Sequence, residues 1–311
     1  MTAIPLIIDC DPGVDDAIAL LLALASPEEL NLLGITTVAG NVPLSLTQLN
    51  ARKICQLAGR SDVKVFAGCP RPLLQPLLTA EQVHGETGLE GATFPDVTML
   101  LQAQHAVQFL IEQLRNAEQP ITVATLGPLT NLAVALVQAP AIATKIERLV
   151  VMGGATAQGN VTPAAEFNIY VDPHAAQIVF NAGLDLTLIG LEVTHQVLTT
   201  PHRLDRIRAL KTPISKAAAD LLTYYGKVDA ERYNLPGAPL HDPCVIAYLL
   251  QPDLFAGRRL PVAIETTSPL TLGQTVVDCW QTTDQAPNAL VVDQVNSDGL
   301  YDLLIERLAK L

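Results

Sequence analysis

Short runs of aliphatic and β-branched residues recur along this chain with helical stretches between them. The clearest, at 32–38, 63–67, 121–126, 149–152 and 186–191, follow an opening run Ile4-Pro5-Leu6-Ile7-Ile8. Their neighbours at 14–25, 44–58, 105–115, 129–137 and 173–181 carry apolar residues at helical spacing. Runs that are apolar throughout suit strands covered on both faces. Strands that alternate with helices imply a mostly parallel sheet joined by right-handed crossovers. The expected fold is therefore an α/β architecture with an open, Rossmann-like sheet and flanking helices. From 198 to 239 the pattern turns helical, 260–295 reads as short strands and turns, and 300–311 as a terminal helix. No Pro-, Gly- or Ser-rich linker separates these parts, so the expectation is one domain spanning 1–311, with a helical insertion and a small β addition near the C-terminus. With 49% of its residues apolar and 16% charged, a chain of 311 residues can build a sizeable core.

In parallel sheets ligands bind beyond the carboxyl ends of the strands, and several such ends here carry polar or glycine-rich signals. Behind the first strand stands Asp9-Cys10-Asp11-Pro12-Gly13-Val14-Asp15-Asp16-Ala17, four carboxylates around a Pro-Gly turn and a helix start. Four acids this close repel one another. A fold keeps them together by protonation, by hydrogen bonds, or by holding a cation between them. A hard cation such as calcium or magnesium takes its ligands from carboxylates, carbonyls and water. Asp15 and Asp16 also suit a helix N-terminus, which accounts for one acid but not for four. Ala39-Gly40-Asn41, Gly127-Pro128-Leu129-Thr130-Asn131 and Met152-Gly153-Gly154 follow later strands. Each alone is an ordinary loop; their coincidence with the acids points to a site.

Charge and cysteines narrow the field. A formal net charge of −12 argues against nucleic-acid polymers and anionic membrane surfaces, which need basic patches. Cys10, Cys55, Cys69, Cys244 and Cys279 are widely spaced and none forms a CxxC pair, which fits a reducing cytoplasm better than a disulfide framework or zinc site. The opening apolar stretch lacks a basic flank and ends in Asp9, so it reads as a strand and not a leader. No apolar run approaches the roughly 20 residues of a membrane helix.

Three further constellations carry polar chemistry. His241-Asp242-Pro243 opens the apolar stretch 244–250. Asp242 suits a helix cap, but the adjacent His241 offers a proton donor near neutral pH. Asn160, Glu166 and Asn168, around Phe167, supply the amides and carboxylate that bind sugar hydroxyls; a polar surface loop is the plainer alternative. Val83-His84-Gly85-Glu86-Thr87-Gly88-Leu89 reads as a flexible loop with one histidine, and Tyr224, Tyr225 and Tyr233 suit either a core or stacking on a flat ring. No GxxxxGK[ST] or GxGxxG occurs, so the usual phosphate cradles are missing.

Taken in order, Asp9-Cys10-Asp11-Pro12-Gly13-Val14-Asp15-Asp16-Ala17, Ala39-Gly40-Asn41, Leu126-Gly127-Pro128-Leu129-Thr130-Asn131, Met152-Gly153-Gly154, Glu166-Phe167-Asn168 and His241-Asp242-Pro243 resemble the inosine/uridine-preferring nucleoside hydrolase family. The likeness runs from residue 4 to beyond 243, and the aspartate cluster is its most specific part. It implies hydrolysis of the N-glycosidic bond of ribonucleosides to ribose and free base. It implies a calcium ion (Ca2+) held by Asp11, Asp16, the backbone carbonyl of Leu126, and Asp242, with Asp11 deprotonating the calcium-bound water. Family members often have Thr at the carbonyl position; a main-chain oxygen tolerates Leu. The resemblance further implies that Asp15, Asn41, Asn160, Glu166 and Asn168 grip the ribose, with Met152 and Phe167 lining the site and Asp9 supporting it. His84, His241, Tyr225 and Tyr233 fall near the leaving base and lean towards pyrimidine ribosides. A homo-oligomer, dimer or tetramer, is implied as well. The chemistry agrees: an acidic pocket stabilises the oxocarbenium-like sugar, and polar groups left unpaired by a missing hydroxyl favour ribosides over deoxyribosides.

Two other readings stay open at this stage. A magnesium-dependent phosphohydrolase would use the Asp9/Asp11 loop, but needs a Lys and a Ser/Thr for phosphate, and these acidic loops offer no obvious Lys. A non-catalytic calcium-dependent sugar-binding protein has no use for His241 beside Asp242.

Overall fold

The structure, a computed structural model, describes residues 3–233 and 235–311, with the helical backbone alone for 228–233. The strands are β1 (Ile4–Cys10), β2 (Leu30–Thr37), β3 (Val65–Ala67), β4 (Ile121–Thr125), β5 (Ile146–Met152), β6 (Leu186–Ile189), β7 (Leu198–Thr199), β8 (Ala238–Pro239), β9 (Phe255–Leu260), β10 (Val262–Ile264), β11 (Thr275–Val277) and β12 (Ala289–Val295). The first helices are α1 (Val14–Leu24), α2 (Leu44–Leu57), α3 (Glu81–His84), α4 (Ala106–Asn116), α5 (Thr130–Gln138) and α6 (Phe167–Val171). After them come α7 (Pro173–Phe180), α8 (Leu191–Thr194), α9 (Pro201–Arg208), α10 (Pro213–Tyr233), α11 (Pro243–Leu250) and α12 (Ser297–Leu308).

Eight strands form one sheet in the order β3-β2-β1-β4-β5-β6-β12-β9. All pairs are parallel except β12 with β9. This is the α/β sheet expected from the alternating runs. Of the small β addition expected near the C-terminus, β10 and β11 form a ribbon of their own, and β12 joins the central sheet beside β6. Ala289 to Val292 register with Leu186 to Ile189 over four pairs, three of them aliphatic and the fourth Leu290 with Thr187, and burying those side chains favours joining the existing sheet. The region 198–239 is helical in α9 and α10, and its two ends pair as β7 and β8.

Side chains of each strand alternate between two cores. Leu6 and Ile8 of β1 pack on one face with α1, α11 and α12; Ile7 packs on the other with α4, α5 and α7. Helix α1 is buried along its whole length, which explains why its sequence beyond Asp15 and Asp16 is apolar on every side. Each buried Leu or Ile contributes about 1.5–3 kcal/mol relative to exposure. β1 is the central hinge of the topology: the chain runs outward from it to β2 and β3, then returns to add β4 on its other side. Beyond the carboxyl ends of β1 and β4 such a reversal opens a crevice.

Among the described residues no helix is long and apolar enough to cross a membrane.

Candidate active site

The loop after β1 carries its acids into that crevice and buries all of them. Asp9, Asp11, Asp15 and Asp16 are each at most 4% exposed, and Asp242 joins them from the start of α11 at 3%. Asp16 reaches back to accept the Gly13 N–H at 2.9 Å and the Asp11 N–H at 3.2 Å, so it also closes the first turn of α1. Asp11 accepts the Asn41 N–H at 2.7 Å through Oδ2, while its buried Oδ1 has no hydrogen-bond partner among the described residues. Asn41 donates from Nδ2 to the Asp11 carbonyl at 3.2 Å and to Asp16 Oδ2 at 3.0 Å. Asp242 stands at the cap position of α11 but makes no side-chain cap hydrogen bond; its carboxyl meets that of Asp16 instead. The capping role open to Asp242 from sequence is thus not the one its side chain takes.

Gly40 and Gly127, from the ends of β2 and β4, press against Asp11 from two sides. A methyl group on either would overlap the Asp11 carboxylate. Glycine at these positions is a matter of close approach.

Burial and mutual repulsion shift these groups strongly. Burial, then the neighbouring Asp16, holds Asp11 well above the usual carboxylate range. Burial lifts Asp16 to about 6 against four hydrogen bonds that favour its charge. Asp242 is held high by burial and by Asp15, Asp16 and Asp11. Asp9 is pushed to about 7 by burial, although Asn131 at 2.8 Å and Thr36 at 2.5 Å both donate to its Oδ1. Asn131 also accepts the Cys69 N–H and donates to the Thr37 carbonyl, so Asp9 braces three strand ends. A cluster in this condition accommodates a cation, because the charge it lacks is the one a metal brings. Oxygens of Asp15, Asp16 and Asp242 lie within 4.8 Å of one another. The sequence expectation had placed Asp11 and the Leu126 carbonyl in the ligand set and Asp15 towards the sugar. Asp15 stands at the edge of both groups, in the triad and on the cleft wall.

Above the acids lies a cleft whose walls mix polar and apolar side chains, as small-molecule sites do. Asp15, Asn41, His84, Leu126, Met152, Asn160, Glu166, Phe167, Asn168, Tyr225, His241 and Asp242 all line it. Asp11 and Asp16 sit beneath, fully buried, and the side chain of Tyr233 lies outside the described residues. Ala80, Gln82, Val83 and Val161 also form walls and were not expected as site residues from the sequence.

Glu166 caps α6 by accepting the N–H groups of Asn168 at 2.9 Å and Ile169 at 3.2 Å, and takes the Gly154 N–H at 2.9 Å from the end of β5. Burial pushes its pKa to about 7. Asn168 donates to the Leu126 carbonyl at 2.8 Å and to the Met152 carbonyl at 3.3 Å, and Asn160 accepts the Phe167 N–H at 2.9 Å. The plain surface-loop alternative for this segment does not hold, since Glu166 and Asn168 are buried.

The two cleft histidines are neutral. Burial holds His84 and His241 at about 3, well below the usual imidazole range. His84 accepts the Val14 N–H at 3.1 Å through Nδ1, which leaves its proton on Nε2. Its ring lies 5.6 Å from that of Tyr225. His241 meets the Thr194 hydroxyl at 2.8 Å through Nδ1, and its ring lies 5.7 Å from that of His195. The sequence reading of His241 as a proton donor near neutral pH therefore meets a resting imidazole that is uncharged. Thr194 and His195 were missed; the signal available was their place just past β6, at the same sheet edge as the acids.

Comparison with known proteins finds the profile of the inosine-uridine preferring nucleoside hydrolases over residues 6–302. A Shewanella sp. (strain MR-7) protein named pyrimidine-specific ribonucleoside hydrolase RihA is 49% identical, over 98% of this chain and 96% of its own. An uncharacterised Schizosaccharomyces pombe protein is 48% identical, over 98% and 99%. Among solved structures, a purine-preferring ribonucleoside hydrolase from Gardnerella vaginalis superposes with a TM-score of 0.91 at 34% identity, covering 98% of both chains.

Proposed function

This chain belongs to the inosine-uridine preferring nucleoside hydrolase family, and from that membership we propose that it splits pyrimidine ribonucleosides, ahead of purine ones, with calcium in the acid cluster. That it is an N-glycosyl hydrolase of ribonucleosides follows from the family and from relatives so named along the whole chain. The finer reading rests on one observation above all. Five buried carboxyl groups from two distant segments converge under a polar cleft, and two of their oxygens, Asp9 Oδ2 and Asp11 Oδ1, have no hydrogen-bond partner among the described residues.

Asp11, Asp16, the Leu126 carbonyl and Asp242 would hold the ion. Calcium, when bound, supplies a Lewis acid that orients water and lowers its pKa. The remaining chemistry belongs to the chain. Asp11 offers Oδ1 to take the proton of the attacking water, within a pocket that favours the neutral carboxyl once the proton arrives. The buried acids around the sugar stabilise positive charge as the ribose–base bond opens. Asp15, Asn41, Asn160, Glu166 and Asn168 bind and orient the ribose hydroxyls from the cleft walls, with Met152 and Phe167 excluding water beside them. On the base side His84 presents an Nε2–H donor, fixed by the Val14 N–H behind it. A donor there suits the carbonyl oxygen beside the glycosidic nitrogen of a pyrimidine, which a purine lacks. His241 faces the departing base, and Tyr225 completes that end. The relatives named pyrimidine-specific support the same preference. The reading further takes the chain to act as one domain within a cytoplasmic homo-oligomer.

A panel of uridine, cytidine, inosine and adenosine, assayed for free ribose with calcium present, tests this. Ribose release led by the pyrimidine ribosides is expected. Phosphate release from phosphomonoesters with no ribose, or binding without turnover, would replace it with one of the two other readings.

A further inference from the structure

Three features of the segment after β6 converge on one residue. The first is the hydrogen bond between Thr194 Oγ1 and His241 Nδ1, 2.8 Å long and buried at both ends. The second is how the backbone sets that distance. Thr194 ends α8, whose start is anchored by the Leu191 N–H on the Gly154 carbonyl at 3.0 Å and whose last turn closes on Gly190. His241 follows β8, which pairs with β7 through Leu198–Pro239 and Thr199–Ala238, and the Leu240 N–H donates to the Val197 carbonyl at 2.8 Å. The two residues, 47 positions apart, are thus held in register by a short ladder four residues from one and two from the other. The third feature is the direction in which His241 is used. Its Nδ1 edge is spent on Thr194, and the residue lines the cleft, so Nε2 is the nitrogen left for a ligand.

We propose that Thr194 is a positioning residue of the reaction: its hydroxyl donates to His241 Nδ1, keeping the imidazole proton on Nε2 and that N–H directed at the departing base. Among the described residues His241 is the hydrogen-bond partner of the Thr194 hydroxyl, so the hydroxyl proton has one acceptor to serve. A neutral imidazole held as an Nε2–H donor stabilises the negative charge that grows on the base as its bond to ribose breaks, without itself giving up the proton. A valine of the same shape would fill the same space and leave Nδ1 free to carry the proton, turning a lone pair towards the base.

This inference rests on the proposed nucleoside cleavage, and its test separates the two. The holoenzyme and its Thr194→Val and Thr194→Ser variants are compared on uridine and on p-nitrophenyl β-ribofuranoside, whose leaving group needs no hydrogen bond. Thr194→Val is expected to lower kcat on uridine by about 10-fold or more with KM within about 2-fold, and to leave the nitrophenyl riboside within about 2-fold. Thr194→Ser restores uridine turnover to within about 3-fold, and in a His241→Ala background Thr194→Val adds no further loss. Imidazole ¹⁵N shifts of His241 report the Nε2–H tautomer in the resting wild-type protein and its loss in Thr194→Val, whether or not any nucleoside is cleaved. An equal loss on both substrates, full uridine turnover by Thr194→Val, or an Nδ1–H tautomer in the wild type would overturn the proposal. Failure of the wild type to release ribose, with the tautomer as expected, would instead remove the functional reading beneath it.

Discussion

Asp11 concentrates the constraints of the site in one side chain. Its Oδ2 is tied to the Asn41 N–H, its Oδ1 has no partner among the described residues, and two glycines close over it. The sequence offered Asp9, Asp11, Asp15 and Asp16 as four similar acids, and their different duties come largely from contacts with residues far along the chain, such as Asn41, Asn131 and Asp242. Asp9 is bound to Thr36 and Asn131, whereas Asp16 closes the helix and meets Asp242. Asp11→Asn keeps the shape and removes the basic oxygen. It is expected to fold normally and to lose about 10²–10⁴-fold in kcat, measured as ribose release. Turnover near wild type from that folded variant would rule out Asp11 as the base.

At the scale of elements, short helices at the carboxyl edge of the sheet do the positioning. Helix α6 is five residues long, too short to stand without its cap, and Glu166 provides that cap while also holding Gly154 at the end of β5. Glu166→Ala leaves three backbone N–H groups without their acceptor. The expected cost is about 1–3 kcal/mol, read as a lower denaturation midpoint at unchanged m-value. Because Phe167 and Asn168 line the cleft from the same helix, KM for uridine should rise as well. An unchanged midpoint together with an unchanged KM would show that the cap holds neither helix nor ligand. The periodicity of the larger elements was plain in the sequence. Runs 121–126 and 186–191 became β4 and β6, and stretch 44–58 became α2, each within a residue or two. Elements as short as α6, α8, β7 and β8 carry too few residues to show a period, so they were not visible.

For the whole molecule, the cleft exists because the sheet reverses direction at β1 and β4, and the acids of one loop meet Asp242 only in the closed fold. Five carboxyl groups held together in this way oppose folding until a cation joins them. Calcium at about 100 times its dissociation constant is expected to stabilise the protein by about 2.7 kcal/mol, and a chelator to reverse it, seen as paired shifts in Tm. Indifference of Tm to calcium and chelator alike would exclude a tightly held ion at this site.

The sequence by itself determined the alternation of strands and helices, the sheet class and the acid cluster, because hydrophobic period and local turn chemistry are written in neighbouring residues, while most of the cleft wall was legible only through the family resemblance. Tertiary structure alone decided that β12 enters the central sheet, that Asp242 turns from its helix towards Asp16, that both cleft histidines are neutral, and that Thr194 stands behind His241. These depend on burial and on pairings between distant segments. Desolvation and directional hydrogen bonds act between atoms close in space, and order along the chain does not record them.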